Sequence, residues 1–239
     1  MIEWSGEGTV LLARRHGETA AILEALTRER GRAAGLVHGG ASRRMAATLQ
    51  PGTRVALRWR ARTEDALGTF AVEPVRSRAG VLGDRLALAA LSATCALANF
   101  ALPERQAFPD LYDATEVLLD ALAAPGWPLA YLEWEVLLLD RTGYRLDLSR
   151  CAATGGTDGL AYVSPRTGRA VSAAGAGEWA DRLLPLPPVL LGADADLAGI
   201  VQGLEITGHF LENALARAIG RPLPEARRRL LDALGRAAR

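Results

Sequence analysis

The sequence contains no lysine, and all 28 of its basic residues are arginine. Residues 155–159, GGTDG, superficially resemble a phosphate-binding loop. That loop class requires a lysine after the glycines and a strand-to-helix frame, and the sequence offers neither, so we exclude it. Because arginine replaces lysine throughout a chain rich in alanine and glycine, we attribute its exclusive use to a GC-rich coding bias and give it no functional weight.

Cysteine, histidine and long apolar runs are also scarce. The two cysteines, Cys95 and Cys151, allow at most one disulfide, and we expect both to be reduced. No apolar run reaches the roughly 18 residues that a membrane-spanning helix needs. The N-terminal residues MIEWSGEG do not form a basic region followed by an apolar stretch. We therefore expect a cytoplasmic, nucleoid-associated protein with no membrane partner.

Catalytic motifs are absent from the sequence as well. The three histidines, His16, His38 and His209, and the two cysteines lie in no nucleophile elbow or cysteine-protease context. We expect Cys95 to be a buried thiol in a helix, and His38 to lie at a strand end near a basic surface. The sequence thus predicts no catalytic residue and no cofactor, and a hydrolase is the least supported class of function.

What the sequence does have is a strong local concentration of positive charge. Between Arg28 and Arg62 there are nine arginines and one acidic residue, Glu29. Residues 1–78 carry a net charge of +5 and residues 79–239 a net charge of −4, although the whole chain is only +1. This asymmetry indicates a polyanionic partner at one end of the molecule.

The first 78 residues follow the pattern of an α+β protein that begins with a small barrel. Five extended segments are punctuated by glycine: residues 10–15, 19–26, 33–38, 53–62 and 69–76. Between the third and fourth segments, Ser42 is placed to cap a short helix over residues 43–49. Five strands with a helix between the third and fourth predict an OB-type β-barrel.

After residue 78 the composition changes to long stretches rich in alanine and leucine. Helical spacing predicts five helices, over residues 84–99, 109–123, 127–142, 195–219 and 224–236. We therefore predict a multidomain chain, with an OB-type domain over 1–78 and an all-helical domain over 79–239. Residues 149–177, rich in Gly, Ser and Thr, interrupt the helical pattern.

The segment RWRAR gives the basic region a geometry. Arg54, Arg58, Arg60 and Arg62 alternate with Val55, Leu57, Trp59 and Ala61, so in a strand the guanidinium groups form one row and the apolar side chains the other. This parity assigns Trp59 to the barrel core instead of a base-stacking surface, and we expect binding with weak sequence preference. Two alternatives remain open: a solvated face, or a charged edge that prevents aggregation.

Two longer stretches make a family resemblance specific. The barrel contains GLVHGGASRRMAATLQPG at residues 35–52, and the second half contains LLLDRTGYRLDLSRCAATG followed by YVSPRTGRAVS within residues 137–172. With this order of parts, the chain resembles the RecO family of DNA repair and recombination mediators. The resemblance covers essentially the whole chain. It implies binding of single- and double-stranded DNA, strand annealing, and loading of a recombinase onto strands coated by single-strand-binding protein. The implied partners are RecR and the acidic tail of the single-strand-binding protein.

One departure from the family concerns metal binding. Many members hold zinc with two C-x-x-C pairs, but here the corresponding positions read Cys151, Thr154, Ser172 and Gly175. Structural zinc needs four strong ligands, usually thiolate or imidazole. We therefore predict that 149–177 is a degenerate, zinc-finger-like insertion without metal, whose hairpin is held by packing of Leu160, Tyr162 and Val171.

These observations predict a non-enzymatic DNA-binding recombination mediator. The alternative is an interaction scaffold whose basic barrel binds an acidic protein partner instead of DNA. The primary candidate DNA contacts are Arg43, Arg44, Arg54, Arg58, Arg60 and Arg62. The second rank consists of Arg14, Arg28, Arg30 and Arg32.

Overall fold

The computed structural model describes residues 1–63 and 65–239. They form two compact units, residues 1–127 with 224–227, and residues 128–223 with 228–239. The chain is α+β, with a five-stranded sheet at its N-terminal end and a mainly helical region after it. No helix within the described ranges is long and apolar enough to cross a membrane.

The first unit begins with five strands, which pair mostly in antiparallel fashion. They are β1 (Ile2–His16), β2 (Ala20–Thr27), β3 (Gly31–Val37), β4 (Arg54–Ala61) and β5 (Thr69–Arg76). They close into a barrel in the order β1-β2-β3-β5-β4, since β4 pairs with β1. The short helix α1 (Arg43–Thr48) lies between β3 and β4 and is capped by Ser42, whose Oγ accepts from the Met45 N–H. Five strands and a helix at this position confirm the predicted order of elements.

The first strand is the one whose extent the sequence pattern underestimates. It begins at Ile2 instead of Val10, and residues 2–7 alternate between partly buried and exposed positions. The glycines of this segment are part of the strand: a Cβ at Gly8 would lie 2.8 Å from the Leu26 carbonyl oxygen, so only glycine fits this close approach. The prediction took these glycines as breaks and was wrong for the first eight residues of β1.

The barrel interior is filled by the apolar side chains that the alternating pattern assigned to it. Val55, Leu57 and Trp59 of β4 are each no more than 5% exposed, and they pack with Val10, Leu23 and Phe70 among others. Burial of this cluster is the main source of stability for the barrel. It also fixes the register that sends the alternate residues of β4 outward.

Two helices belong to the same unit as the barrel. They are α2 (Arg85–Ala101), capped by the Asp84 carboxylate, and α3 (Pro109–Ala121), with proline at its first position. Both confirm the helical spacing in the sequence. The compact unit that contains the barrel therefore includes both helices. The division into domains over 1–78 and 79–239 stays a prediction.

The second unit is helical with one exception. Its helices are α4 (Trp127–Arg141), α5 (Ala173–Ala176), α6 (Leu197–Phe210), α7 (Arg217–Ile219) and most of α8 (Glu225–Ala237). A π-helical segment, Leu211–Ala216, separates α6 from α7, so the single helix predicted over 195–219 is interrupted. The exception is a three-stranded sheet of β6 (Leu160–Val163), β7 (Ala170–Ser172) and β8 (Leu184–Pro185). The hairpin β6–β7 confirms the one predicted within residues 149–177. The strand β8 lies outside that segment and was not predicted, because two residues leave no periodic signal.

Candidate nucleic-acid interface

The outer face of β4 carries an exposed pair of arginines. The side chains of Arg58 and Arg60 are 60% and 52% exposed, while the residues between and beside them face the core. Strand pairing places Ser5 of β1 opposite Arg58 and Glu3 opposite Arg60. The Glu3 carboxylate is 3.1 Å from Arg60 Nε and 3.8 Å from Arg58 Nε. One carboxylate thus bridges two guanidinium groups on the strand surface.

A cleft of about 410 Å³ connects these arginines with the end of β3 and with α1. Arg58 and Arg60 line it together with His38, Met45 and Phe70. His38 directly follows β3, at the strand end where the sequence predicted it, and is exposed. Met45 belongs to α1. The fold therefore brings the β4 arginines, the end of β3 and α1 to the same concave surface.

The remaining exposed arginines of the primary set lie at the ends of elements. Arg43 and Arg44 begin α1, and Arg62 follows β4. All three are exposed, and none forms an ion pair with a residue in the described part of the chain. Their positive charge is therefore available to an external anion.

Besides Arg58 and Arg60, three further predicted contacts are paired with carboxylates of the same unit. Arg28 Nε lies 2.9 Å from Asp113 of α3, and Arg54 lies 2.7 Å from Glu7 of β1. Arg32 pairs with Glu24, donates to the Leu102 carbonyl at 2.9 Å, and has a side chain only 16% exposed. These guanidinium groups are partly or wholly neutralised by the fold, so an external phosphate would have to compete with internal partners.

Two second-rank arginines are not held in this way. Arg14 lies near the end of β1 and Arg30 in the turn between β2 and β3, and both are exposed. Neither forms an ion pair with the residues that the structure describes. The structure thus separates the ten candidates into exposed cations at the barrel surface and cations that stabilise the unit.

A buried ionic cluster escaped the sequence reasoning. Arg78 is 8% exposed, and its Nη2 lies 3.0 Å from Glu116 and 2.8 Å from Asp120, both on α3. Its Nη1 donates to the Gly52 carbonyl at 2.6 Å, and Glu116 also accepts from Thr9 of β1. Arg78 therefore fastens α3 to the barrel. An isolated arginine after a strand gives no signal in sequence that distinguishes it from a surface residue.

Four of the five tryptophans are buried or partly buried, and Trp59 lies where the alternation of β4 predicts it. Trp59 is in the barrel core, and Trp127 and Trp134 are buried. Trp179 differs, since it is 56% exposed in a 3-10 turn with the Arg182 guanidinium 4.9 Å from its ring centroid. Trp4 is partly buried and stacks on Trp59 with ring centroids 6.1 Å apart.

The two cysteines lie in opposite electrostatic surroundings. Cys95 is buried in α2, as predicted, and burial raises its pKa to about 12. The Cys151 thiol has its pKa lowered to about 6, chiefly because the Ser172 hydroxyl and the Ser172 N–H donate to Sγ, at 3.3 and 3.2 Å. The Thr154 N–H donates as well, at 3.4 Å. Hydrogen bonds to sulfur favour the thiolate.

The four positions at which the family resemblance implies zinc ligands lie together. Thr154 and Ser172 contact the Cys151 sulfur, and a Cβ at Gly175 would be 2.9 Å from it. Only one of the four is a metal ligand, and no cluster of three or more His, Cys, Asp or Glu in the described ranges could hold a metal. The residues present do not fit zinc. The hairpin β6–β7 instead packs Leu160, Tyr162 and Val171 around Cys151.

Comparison with known proteins identifies the family. Residues 1–78 match the family model described as "Recombination protein O N terminal", and residues 82–223 match "Recombination protein O C terminal". The chain belongs to the RecO family. One relative, the DNA repair protein RecO of Dinoroseobacter shibae, is 60% identical over 240 residues, covering 99% of this chain and all of the relative. The DNA repair protein RecO of Paracoccus denitrificans is 59% identical over 235 residues, covering 98% of this chain and 96% of the relative.

Membership confirms the resemblance drawn from residues 35–52 and 137–172. Those stretches lie in the two matched regions, one in each. In this RecO family member, the first stretch supplies the part of the Arg58–Arg60 cleft that comes from the end of β3 and from α1. The second stretch contains Cys151 and the residues Leu160, Tyr162 and Val171 that pack around it. The two stretches that carry the family resemblance therefore contribute to the basic surface and to the surroundings of Cys151.

Proposed function

We propose that this chain is a non-enzymatic DNA-binding recombination mediator in DNA repair, and that its barrel is of the OB type. The observation that carries the proposal is the exposed Arg58–Arg60 pair at a cleft that also receives the β3–α1 corner. OB folds bind nucleic acid through positive grooves that follow the phosphate backbone. The relatives' name, DNA repair protein RecO, agrees with this task.

The exposed arginines form the proposed binding surface. Arg58 and Arg60 are its centre, and Arg43, Arg44 and Arg62 extend it. Arg14 and Arg30 are further cations available to phosphate. Arg28, Arg32 and Arg54 would have to exchange a carboxylate partner for a phosphate, as Arg58 and Arg60 would exchange Glu3. Phosphate contacts are independent of sequence, so this surface suits both single- and double-stranded DNA.

Strand annealing follows from the same surface without an active site. Base pairing supplies the driving force, and the protein needs only to reduce the repulsion between two phosphate chains. We further propose, from the family, that the chain helps to load a recombinase onto strands coated by single-strand-binding protein. Its proposed partners are RecR and the acidic tail of the single-strand-binding protein, and its proposed location is the cytoplasm, in association with the nucleoid.

Reversal of the two central charges tests the proposal. The variant Arg58→Glu/Arg60→Glu should lose at least tenfold in affinity for single-stranded DNA and lose annealing, with an unchanged thermal melt, because both side chains are exposed. The matched control is Arg150→Glu/Arg166→Glu, which makes the same charge change at exposed positions outside the barrel. Equal losses in the two variants, or no loss in the first, would contradict the proposal.

A second candidate function is an interaction scaffold whose basic barrel binds an acidic protein tail. The Glu3 bridge favours it, since it shows that the two guanidinium groups accept a carboxylate. Direct binding to an oligonucleotide separates the two functions. DNA binding that is absent even at low salt, together with binding of an acidic peptide that Arg58→Glu/Arg60→Glu abolishes, would favour the scaffold.

A further inference from the structure

A second cleft, of about 400 Å³, lies in the first unit and is distinct from the Arg58–Arg60 surface. Its lining includes two indole rings, Trp4 and Trp59, and four charged side chains, Glu29, Arg30, Asp65 and Arg105. A volume of several hundred Å³ with apolar walls and a few polar groups is typical of a small-ligand site. Of its lining residues only Arg30 is among the proposed phosphate contacts, and the aromatic part of the cleft has no assigned role.

The walls of this cleft are fixed by hydrogen bonds from three segments. Trp59 Nε1 donates to the carbonyls of Ala34 and Leu67, each at 3.1 Å. Arg105 donates from its N–H to the Arg32 carbonyl at 2.8 Å and from Nη2 to the Ala66 carbonyl at 3.1 Å. The cleft is therefore already formed in the free protein, which lowers the cost of ordering it on binding.

The backbone near the cleft is also under constraint. Arg105 has φ of 63°, the left-handed region that a non-glycine residue rarely adopts. Such conformations persist where the surrounding structure enforces them and occur often at binding sites. At Gly68, where φ is 68°, a Cβ would lie 2.4 Å from the Trp59 ring, so this glycine is needed for the loop to approach the indole.

The charges of the cleft select an uncharged ligand. Arg105 pairs with Asp65 at 3.5 Å, and the formal charges of the remaining pair, Glu29 and Arg30, cancel. A phosphate placed inside would meet two carboxylates as well as two guanidinium groups, so the lining offers it no net positive charge. The aromatic lining favours instead a flat group with polar edges, and in DNA that group is the base.

The indole of Trp4 is held ready for such a group. It stacks on Trp59 at an interplanar angle of 19°, and it meets Phe70 edge-on with centroids 5.8 Å apart. Trp4 nevertheless remains partly exposed. A base bound beside an immobile aromatic ring loses little additional protein entropy, which is why fixed aromatic residues make good stacking surfaces.

We propose that this cleft binds one unpaired nucleobase of a single strand, with Trp4 as its stacking surface and Arg30 at its edge. The inference rests on the proposed DNA-binding function, and it adds a contact that discriminates between strands. A base in a duplex is stacked and paired and cannot enter, so the cleft contributes to single-strand affinity alone.

The first experiment needs no variant. Wild-type protein is titrated at fixed salt with a deoxythymidine oligonucleotide, with an abasic oligonucleotide of equal length, and with a duplex of equal length. We expect the abasic strand to bind about 5- to 150-fold more weakly than the base-bearing strand, the range for loss of one base–aromatic stack. Equal affinity for the two single strands would overturn the inference.

The second experiment locates the contact. Trp4→Ala should lower affinity for the base-bearing strand by about the same factor and leave affinity for the abasic strand and the duplex unchanged, whereas Trp4→Phe should retain most of it. Comparing three ligands on one preparation cancels any loss of folded protein. A Trp4→Ala variant that binds all three with unaltered relative affinity would overturn the inference. Failure of the wild type to bind any of the three would instead refute the proposed function itself.

Discussion

At the scale of single side chains, Glu3 controls how much positive charge β4 presents. Its carboxylate contacts both Arg58 and Arg60 and must be displaced by an incoming phosphate. Glu3→Gln should therefore raise affinity for single-stranded DNA by about 2- to 5-fold, since an exposed ion pair is worth ~1 kcal/mol or less. Fluorescence anisotropy at low salt measures this. Glu178→Gln, an exposed acid outside the barrel, serves as the control, and weaker DNA binding by Glu3→Gln would contradict the role.

The stability that the Cys151 thiolate contributes to the fold depends on pH. Its folded pKa of about 6 lies below the ordinary value of 9.0, so the thiolate stabilises the fold fully above pH 9, and this contribution is lost as pH falls through 6. The melting temperature of wild type minus that of Cys151→Ser should grow between pH 6 and pH 9. Cys95→Ala provides the control, because the pKa of Cys95 near 12 keeps that thiol protonated over this range. A Cys151 difference that does not change with pH would contradict the assignment.

At the scale of elements, the hairpin β6–β7 lies where the family resemblance implies a zinc site, of whose four ligands only Cys151 is present. Thr154, Ser172 and Gly175 surround the one remaining thiol. Thr154→Cys/Ser172→Cys/Gly175→Cys should therefore bind about one zinc per chain and melt at a higher temperature with zinc than without, because four thiolates are a complete tetrahedral set. Elemental analysis of this variant and of the wild type measures both expectations. About one zinc in the wild type, or none in the variant, would contradict them.

Element order was readable from sequence because the signals are local. Glycine positions between extended segments predict β2 to β5, and proline at the first turn predicts α3. In β4, the alternation of arginine with apolar residues also predicts which side chains face outward. The two-residue strand β8 and the π-helical interruption after Phe210 could not be predicted, because two residues establish no period and the π segment keeps an apolar helical composition.

The sequence predicts the strand that carries the candidate site, but not the residues that form ion pairs with its arginines. Parity identifies Arg58 and Arg60, but their bridge to Glu3 depends on pairing between residues more than 50 positions apart. The neutralisation of Arg28 by Asp113 and the burial of Arg78 against α3 have the same origin. Long-range pairing determines which cations remain free, and one sequence alone contains no signal for it.

At the scale of the whole molecule, net charge conceals two basic segments. Residues 217–239 carry seven arginines and two acids. The net charge of −4 over residues 79–239 therefore understates how acidic residues 79–216 are. In α8, Arg229 and Arg236 are exposed while Leu230 and Leu234 are buried. A second exposed cationic surface therefore competes with the barrel as an explanation for any DNA binding.

Salt dependence decides between the two surfaces. If about four to six phosphates are neutralised, log affinity for single-stranded DNA should fall against log salt with a slope of roughly −3 to −4. Arg58→Glu/Arg60→Glu should make this slope shallower by about 1 to 2, since each lost phosphate contact removes ~0.7. Arg229→Glu/Arg236→Glu makes the same charge change on α8 and should leave the slope as in the wild type. If the slope becomes shallower for the α8 variant and not for the barrel variant, the phosphates bind to the C-terminal helix. The barrel arginines then form only a solvated face of β4.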